Sequence, residues 1–321
     1  MNVLLTGASS FTGLWFARAL RAAGHSVVAP LPRPRGGYDD VHDGVRAARV
    51  AALQETDVRI VWDCPFGSPA FLEHCADAGV LCHHAAHVEG YKSLDFDVAG
   101  ALAANTRGLR QVLERGHVAG WRGVVLTGTV FEADEGAGET PLRAFSPYGV
   151  SKALTFQVMR YWTALHGLPL VKFVIPNPFG PWEEPRFCDY LLQCWARGEV
   201  AHVKTPEYVR DNIHVSLLAG AYVRALQRLD AGSPLARCNP SGYVETQGAF
   251  ALRFAAEIGR RLDLPTPVAL DPQTNWEEPR TRINTDRVDG SAWGWNEAAA
   301  WDELAAWYAR KQPALGARRS A

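Results

Sequence analysis

The chain has 321 residues, of which 47% are hydrophobic and 21% charged, so it can bury a full core and is neither disordered nor fibrous. Its 33 Lys and Arg against 34 Asp and Glu give a net charge of -1. Without a general positive field to attract a phosphate backbone, nucleic acid is not an expected partner. No basic leader opens the chain and no apolar stretch is long enough to cross a bilayer, so we expect a cytoplasmic protein without a membrane partner.

The first half of the chain alternates strand-like and helix-like segments. Short apolar runs predict strands, and apolar residues spaced three and four apart predict helices. The predicted strands are 2–6, 26–29, 58–62, 80–84, 124–127 and 170–175. The predicted helices are 11–23, 45–55, 69–78, 98–117 and one that opens at Ser146. This alternation is typical of βαβ units, and we expect an α/β fold: a doubly wound parallel sheet with helices on both faces.

A proline-rich bend at 176–182 interrupts the alternation. Beyond it, helical spacing recurs at 188–197, 214–229, 247–262 and 297–311, while 200–213 carries no clear pattern. We therefore predict two domains. Residues 1–175, with return elements near 208–238, form the doubly wound domain, and 176–207 with 239–321 form a smaller, interleaved one.

The six cysteines are scattered without a Cys-x-x-Cys pair, which predicts reduced thiols rather than a disulfide framework or a zinc site. His83, His84 and His87 lie close together in the sequence. Neighbouring residues of a strand point to opposite faces, so these histidines do not predict a metal site either.

A glycine loop, Thr6-Gly7-Ala8-Ser9-Ser10-Phe11-Thr12-Gly13, connects the first strand to the first helix. Unpaired N–H groups at a helix N-terminus suit a dinucleotide pyrophosphate. Gly7 permits the tight turn and Gly13 close packing of the helix, whereas Ser10 replaces the middle glycine of the usual pattern. We assign Gly7, Ser10, Phe11 and Gly13 to a cofactor site, with a plain strand-to-helix turn as the alternative.

The loop after the second strand bears on which dinucleotide is used. NAD-binding folds place an acid there that accepts hydrogen bonds from the ribose 2′-OH. Here Pro30 and Leu31 occupy that position, and Arg33 and Arg35 follow. This pattern favours NADP slightly over NAD and makes Arg33 a cofactor-binding candidate. The alternative is a solvated basic loop without a ligand.

The segment Tyr148-Gly149-Val150-Ser151-Lys152 opens a helix and carries the strongest chemical signal. Residues four apart share a helix face, and a nearby ammonium favours the phenolate form of a tyrosine. Tyr148 can then act as a base near neutral pH. A hydroxyl from another element should polarise the substrate oxygen. Thr127 is the first candidate and Thr129 the second.

The motifs Thr6-Gly7-x-x-Ser10-x-x-Gly13, Tyr148-x-x-x-Lys152 and Asn177 followed by Gly180-Pro181 together resemble the extended short-chain dehydrogenase/reductases. Specifically, they resemble the NAD-dependent epimerase/dehydratase family, which acts on nucleotide sugars, and the match spans nearly the whole chain. Further segments that resemble the family occur in the same order: Cys82-His83-His84-Ala85-Ala86, Asn105-Thr106-Arg107-Gly108, Glu139-Thr140-Pro141-Leu142 and Arg210-Asp211-Asn212-Ile213-His214-Val215.

The resemblance implies a Rossmann dinucleotide domain, a substrate-binding second domain and roles for single residues. Tyr148 would be the general acid/base and Lys152 would bind the nicotinamide ribose. Thr127 takes the family's Ser/Thr position. Asp63 would contact adenine, with a strand-end cap as the alternative.

The resemblance also implies substrate-binding residues. Asn177 and Arg210 would hold the nucleotide diphosphate, joined by Arg280 or Arg282, and Thr129 is a further contact. A bidentate guanidinium suits a diphosphate. The alternatives are a structural pairing of Arg210 with Asp211 and surface charge for Arg280.

Family dehydratases carry an Asp-Glu pair after the catalytic Thr, whereas Gly128 and Thr129 follow here, so dehydration is not expected. The first hypothesis is a nucleotide-sugar 4-epimerase that works through a transient 4-keto intermediate. The second is an NADPH-dependent ketoreductase of a 4-keto sugar nucleotide or a related carbonyl compound. The third is a non-catalytic dinucleotide-sensing protein. The resemblance further implies a homodimer built from helices 98–117 and 146–166.

Overall fold

A computed structural model of the chain describes residues 1–38 and 44–312. Within that described part, no helix combines the length and the apolar composition needed to cross a membrane. The chain forms two compact units. The first contains Met1–Glu135, Thr140–Ile175 and Leu218–Pro240, and the second contains Gly136–Glu139, Pro176–Leu217 and the described residues from Ser241 onward.

The first unit is built on a seven-stranded sheet in which every neighbouring pair is parallel. In chain order its strands are Asn2–Thr6, Ser26–Pro30, Arg59–Val61, Val80–His83, Val124–Thr129, Leu170–Ile175 and Leu235–Cys238. Numbered one to seven in that order, the strands lie side by side as 7-6-5-4-1-2-3. The order reverses between strands one and four, which confirms the predicted doubly wound sheet.

Helices connect and cover these strands. They are Phe11–Ala22, Gly44–Gln54, Pro69–Glu73, Val98–Asn105, Leu109–Val118 and Pro147–Leu165, with 3-10 turns at Arg35–Tyr38 and Leu226–Asp230. The helix Val215–Ala225 begins in residues of the second unit and ends in residues of the first. One core cluster packs strand residues such as Leu81 and Leu126 against Phe156 and Met159 of the helix Pro147–Leu165.

Several elements differ from the sequence expectation. The helix predicted at 98–117 is two helices, because Gly108 has a φ of +60° and its α-carbon faces the backbone of Gly67. A Cβ on Gly108 would lie 2.6 Å from the carbonyl oxygen of Gly67. The fifth strand continues to Thr129 rather than ending at Thr127, because it pairs with the sixth strand as far as Ile175. The seventh strand was not predicted.

The second unit contains a five-stranded mixed sheet and three helices. Its central strand, Val209–His214, is antiparallel to Tyr243–Thr246 and parallel to Thr281–Ile283 and Asn177–Phe179, and Ala137–Gly138 lies at one edge. The helices are Phe187–Arg197, Gln247–Leu262 and Glu297–Lys311, with a 3-10 turn at Gly290–Trp293. Further short strands are Ala201–Val203, paired with Val268–Leu270, and Pro240–Ser241 and Asp286–Arg287.

An aromatic core holds the second unit together. Phe179 contacts the rings of Phe250 and Trp301, and Phe254 contacts Trp301 and Tyr308. These rings come from the strand Asn177–Phe179 and from two of the three helices. This explains why the proline-rich bend belongs to the second unit: Phe179 is one of its core residues.

The limits of the two units differ from the predicted domains mainly at residues 208–217, and also at 136–139 and 239–240. Residues 208–217 were predicted as return elements of the first domain, but the structure places them in the second unit. The reason is the strand Val209–His214, whose hydrogen-bonding partners all belong to the second sheet. Gly136–Glu139 also joins the second unit, through the short strand Ala137–Gly138.

Candidate active site

The glycine loop lies where the strand order of the first sheet reverses. Gly7 has a φ of +76°, and a Cβ there would lie 2.8 Å from the backbone nitrogen of Ala85. The loops after strands one and four therefore touch through their backbones, which only glycine at position 7 allows. In doubly wound folds, ligands bind outside the carboxyl ends of the strands at this reversal.

Ser10 is the N-cap of the first helix. Its hydroxyl donates to the carbonyl oxygen of Gly7 at 2.8 Å and accepts from the N–H of Gly13 at 3.1 Å. The serine side chain thus closes the loop on itself. The N–H groups of Phe11 and Thr12 begin the helix and have no acceptor within it. They are the donors that an anion at this helix end would use.

Gly13 is also required by the loop. A Cβ on Gly13 would lie 2.1 Å from the carbonyl oxygen of Gly7 and 2.8 Å from the hydroxyl of Ser10. Replacement by any other residue would push the first helix away from the turn. The sequence interpretation of Gly7 and Gly13 therefore agrees with the contacts around both residues.

His84, which follows the fourth strand, forms hydrogen bonds with the glycine loop, a role that was not predicted from the sequence. Its Nε2 lies 3.0 Å from the hydroxyl oxygens of both Ser10 and Thr12. Because the Ser10 proton already goes to Gly7, we assign Nε2 as the donor. Burial, with Lys152 as a further cause, lowers the pKa of His84 to about 3, so its ring is neutral.

His83 forms a second buried link. The hydroxyl of Thr6 accepts from the backbone N–H groups of His84 and Ala85, both at 3.0 Å, and lies 3.1 Å from His83 Nδ1. His83 Nε2 is 3.2 Å from the carbonyl oxygen of Asn105, which makes Nε2 the donor and Nδ1 the acceptor. Burial lowers the pKa of His83 to about 3. His83 is thus a structural histidine.

Asn105 was matched as a motif residue but given no role by the sequence. Its Oδ1 accepts from the N–H of His87 at 2.7 Å, and its Nδ2 donates to Thr155 at 3.2 Å. Asn105 therefore joins the loop after the fourth strand to the helix that carries Tyr148. The sequence signal for this role is the position of Asn105 in the family-like segment Asn105-Thr106-Arg107-Gly108.

Arg33 and Asp63 lie together beyond the ends of strands two and three. The N–H of Asp63 donates to the carbonyl oxygen of Arg33 at 3.0 Å. The Arg33 guanidinium lies over the ring of Tyr38, 5.5 Å from its centroid. Asp63 was expected to end the third strand, but the strand ends at Val61 and Asp63 follows in a left-handed conformation with a φ of +50°. Both side chains are exposed.

Tyr148 and Lys152 lie in the first turns of the helix Pro147–Leu165, which Ser146 caps. The ring of Tyr148 contacts the rings of Tyr91 and Phe96. Lys152 is buried, and its Nζ donates to the carbonyl oxygen of Thr127 at 2.6 Å. Burial lowers the pKa of Lys152 to about 8, while Glu132 raises it and Lys172 lowers it further.

The two threonine candidates have different surroundings. Thr127 pairs with Phe173, whose ring contacts Tyr222, and its hydroxyl lies beside the buried phenol of Tyr222. Thr129 is the last residue of the strand, and its hydroxyl accepts from the N–H of Phe131 at 3.3 Å. The carboxyl end of a parallel strand is where substrates approach. Both side chains are buried, and Thr129 is the candidate at that end of its strand.

The predicted diphosphate ligand Arg210 is buried in the second unit and already has partners. Its guanidinium donates to Glu278 at 2.8 Å and to the carbonyl oxygens of Val209, Pro279 and Arg280 at 3.0 to 3.2 Å. Asp211, the alternative partner from the sequence, instead accepts from the N–H groups of Gly242 and Asn284. The pairing of Arg210 with Asp211 is therefore not formed.

Of the remaining predicted substrate residues, Asn177 and Arg280 also lie in the second unit, whereas Thr129 lies in the first. Arg280 is exposed, and its guanidinium lies over the ring of Trp276, 4.3 Å from the centroid. Arg282, its alternative, is buried. Asn177 begins a short strand opposite Asn212 and is partly exposed. Apart from Thr129, the predicted substrate residues thus lie in the second unit, and the predicted cofactor and catalytic residues lie in the first.

The residues of the first unit fit a dinucleotide. A helix N-terminus with two unpaired N–H groups, a turn that no Cβ can enter and a buried lysine one helical turn after the candidate tyrosine are the features such a ligand needs. A family model for the NAD-dependent epimerase/dehydratase family matches residues 3–239. The chain belongs to this family. Membership confirms the expectation of an NAD(P)-dependent enzyme of the extended short-chain dehydrogenase/reductase type.

Similar proteins catalyse more than one reaction. A UDP-glucose 4-epimerase of Lacticaseibacillus casei is 24% identical over 92% of this chain and 97% of its own length. The structure of UDP-glucuronic acid 4-epimerase from Bacillus cereus superposes with a TM-score of 0.72 at 14% identity, covering 97% of this chain and 100% of the other.

A third similar protein is a dehydratase. The dTDP-glucose 4,6-dehydratase from Bacillus anthracis superposes with a TM-score of 0.69 at 17% identity, covering 98% of each chain. At these identities the structural matches establish the fold. The reaction has to be argued from the residues of the site.

Proposed function

We propose that the protein is a nucleotide-sugar 4-epimerase. The observation that carries the proposal is the placement of Tyr148 and the buried, strand-anchored Lys152 in the same unit as the glycine loop at the sheet reversal. Tyr148 removes the proton from the sugar C4 hydroxyl and later returns a proton to the 4-keto oxygen. When bound, the nicotinamide supplies reversible hydride transfer at C4. Lys152 keeps the phenol of Tyr148 in its reactive state by its positive charge.

The lack of a dehydratase acid pair supports this reaction over elimination. Val130 and Phe131 follow Thr129, so neither threonine candidate is followed by the Asp-Glu pair. The carboxylate of Glu132, the next acid along the chain, is buried and bonded to Lys172. We therefore assign no acid to the removal of water. Thr129 is proposed to donate a hydrogen bond to the sugar oxygen at C4, with Thr127 as the alternative.

For the substrate we propose a UDP-sugar, since the curated relative is a UDP-glucose epimerase. Asn177 and Arg280 are proposed contacts of the diphosphate. Arg210 stays a prediction, and for it to bind phosphate the ion pair with Glu278 must open. A sugar at the end of a flexible diphosphate can turn over in the site, which epimerisation requires.

The test is turnover without consumption of cofactor. The purified protein is incubated with UDP-glucose or UDP-glucuronic acid and substoichiometric NAD or NADP, and the C4 epimers are resolved by proton NMR. Formation of the galacto epimer beyond the amount of dinucleotide supports the epimerase. Oxidation or reduction in strict proportion to added cofactor, without epimer, would contradict it.

The second candidate, an NADPH-dependent 4-ketoreductase, is favoured by one observation. Pro30 and Leu31 occupy the position of the acid that would bind the ribose 2′-OH. The exposed Arg33 follows them, and its carbonyl oxygen accepts from the N–H of Asp63 after the third strand. Titration calorimetry with NAD, NADH, NADP and NADPH separates the two candidates. If NADPH binds most tightly and Arg33→Ala removes that preference while Arg35→Ala does not, the reductase is supported.

We also propose a cytoplasmic homodimer. All six cysteines lie in the described part of the chain, none is in a disulfide, and five are buried, which suits a reducing compartment. The helix Pro147–Leu165 exposes an apolar stripe of Val150, Leu154, Tyr161 and Leu165. Residues at such spacings share one helix face, and a contiguous exposed apolar face is typical of an interface. A second copy of the chain is the proposed occupant.

A further inference from the structure

Three charged side chains, those of Lys172, Glu132 and Glu135, are buried together near the end of the fifth strand. Lys172 Nζ lies 2.5 Å from Glu132 Oε2 and 2.7 Å from Glu135 Oε1, and all three side chains are at most 2% exposed. Lys172 interrupts the otherwise apolar strand Leu170–Ile175. A lysine within an apolar strand is the sequence signal for such a cluster.

Glu132 connects this cluster to Thr129. Its Oε1 accepts from the N–H of Thr129 at 2.7 Å, and its own N–H donates to the carbonyl oxygen of Thr129 at 3.1 Å. Glu132 therefore satisfies both backbone hydrogen-bonding groups of Thr129, the last residue of the strand. A Cβ on Gly128 would lie 2.7 Å from that carboxylate and 2.8 Å from Lys172 Cε, so the glycine leaves the space that the ion pair fills.

The cluster also acts on Lys152. The ammonium of Lys152 interacts with Glu132, which raises its pKa, and with Lys172, which lowers it. The other titratable groups that face Lys152 are His83 and His84, both neutral because burial lowers the pKa of each to about 3. Tyr148 lies one helical turn earlier. Glu132 is thus a negative charge that acts on Lys152.

We propose that Glu132, held in place by Lys172, is a positioning residue of the active site: it fixes Thr129 at the strand end, and its negative charge acts on the ammonium of Lys152. This inference rests on the proposed function, in which Thr129 and Lys152 contact the reacting groups. Glu132 itself touches neither substrate nor cofactor. It acts through the two residues that do.

Glu135 provides a control that distinguishes the positioning role of Glu132 from simple pairing with the buried Lys172. Burying charge is costly, and Lys172 needs at least one carboxylate to remain buried. Glu135 bonds Lys172 as Glu132 does, and it also lies 3.7 Å from Arg237. No bond between Glu135 and Thr129 is formed in the described structure. Glu135→Gln is therefore the matched control for Glu132→Gln.

The first readout is the titration of Lys152, which requires neither substrate nor turnover. The full chain is labelled with isotopic lysine, and the Lys152 side-chain signal is assigned by its loss in Lys152→Met. Glu132→Gln should lower the titration midpoint of Lys152 by about one pH unit, and Lys172→Met should raise it by a similar amount. Glu135→Gln should leave it nearly unchanged.

The second readout is hydrogen exchange at the backbone N–H of Thr129. Loss of the charge-assisted bond in Glu132→Ala should speed exchange at this site by roughly tenfold relative to the natural chain, whereas Glu135→Ala should not. Thermal unfolding checks that the variants are folded. If the Glu132 variants do not fold, Lys172→Met decides through the same exchange measurement: faster exchange at Thr129, because Lys172 holds Glu132 in place, supports the proposal, and unchanged exchange overturns it.

Both readouts stand apart from the proposed reaction. Unchanged titration and exchange in Glu132→Gln and Glu132→Ala, or equal changes in the Glu135 controls, would overturn the positioning role even if the protein is an epimerase. Conversely, shifts as expected in a protein that fails to epimerise any UDP-sugar would retain the role of Glu132 and reject the reaction. The two failures are therefore distinguishable.

Discussion

The ammonium of Lys152 donates a 2.6 Å hydrogen bond to the backbone carbonyl oxygen of Thr127. This bond anchors the first turns of the helix Pro147–Leu165 to the fifth strand of the sheet. Tyr148 lies one turn before Lys152 on the same helix, so its position is set by the same anchor. A single long side chain thereby links the candidate base to the strand that carries both threonine candidates.

Removal of the Tyr148 hydroxyl should abolish catalysis and leave the fold intact. Tyr148→Phe is expected to lower kcat by roughly 100- to 10,000-fold, because the general acid/base is lost. The measurement is epimer formation from UDP-glucose. Tyr161→Phe, an exposed tyrosine on the same helix, is the control and should retain activity. Equal activity of Tyr148→Phe and the natural chain would show that another group moves the proton.

Lys152 should make stability depend on pH in the alkaline range. Burial lowers its pKa from 10.5 to about 8 in the folded chain, so the unfolded chain binds more protons between these values. Folding therefore becomes more favourable as pH rises from about 8 to 10.5, by up to about 3 kcal/mol. Lys152→Met should lack this gain.

Urea unfolding of both proteins at pH 7, 8, 9 and 10, without dinucleotide, measures the effect. The difference in free energy of unfolding between the natural chain and Lys152→Met should change in favour of the natural chain as pH rises. Parallel curves over the whole range would mean that Lys152 keeps an ordinary pKa in the folded state.

Gly13→Ala should damage both the loop and dinucleotide binding. The added Cβ would lie 2.1 Å from the carbonyl oxygen of Gly7, so the helix Phe11–Ala22 must shift, at a cost of about 2 kcal/mol. Calorimetry should show weaker binding of NAD and NADP. Gly44→Ala is the control, because no atom of the described residues lies within 4 Å of its added Cβ and its backbone is helical. Undiminished affinity in Gly13→Ala would exclude the loop as the pyrophosphate site.

Charges placed on the apolar stripe of the helix Pro147–Leu165 should separate the proposed dimer. We expect Tyr161→Glu with Leu165→Glu to sediment as a monomer at micromolar concentration, where the natural chain is a dimer, because two carboxylates would be buried without partners. Leu252→Glu, at an exposed leucine of the helix Gln247–Leu262, is the control. A natural chain that sediments as a monomer would rule out the dimer.

Local patterns were sufficient for much of the first unit. Six of its seven strands follow from short apolar runs, because a buried parallel strand must be apolar on both faces, and the glycine loop follows from the positions of Gly7 and Gly13. The break between the two helices at Gly108 was not predicted, because the helical spacing of apolar residues continues through it. Its cause is the backbone of Gly67, which is distant in the sequence. The extension of the fifth strand to Thr129 depends in the same way on its partner, the sixth strand.

The sequence by itself determined the fold class, the glycine loop and the pairing of Tyr148 with Lys152, because each depends on residues that lie close together in the chain. Only the tertiary structure decided that Arg210 is already paired with Glu278, and that Glu132 and Lys172 form a buried pair whose charges act on Lys152. Those outcomes depend on side chains tens of residues apart, from 40 between Glu132 and Lys172 to 68 between Arg210 and Glu278, and burial sets their charges and partners.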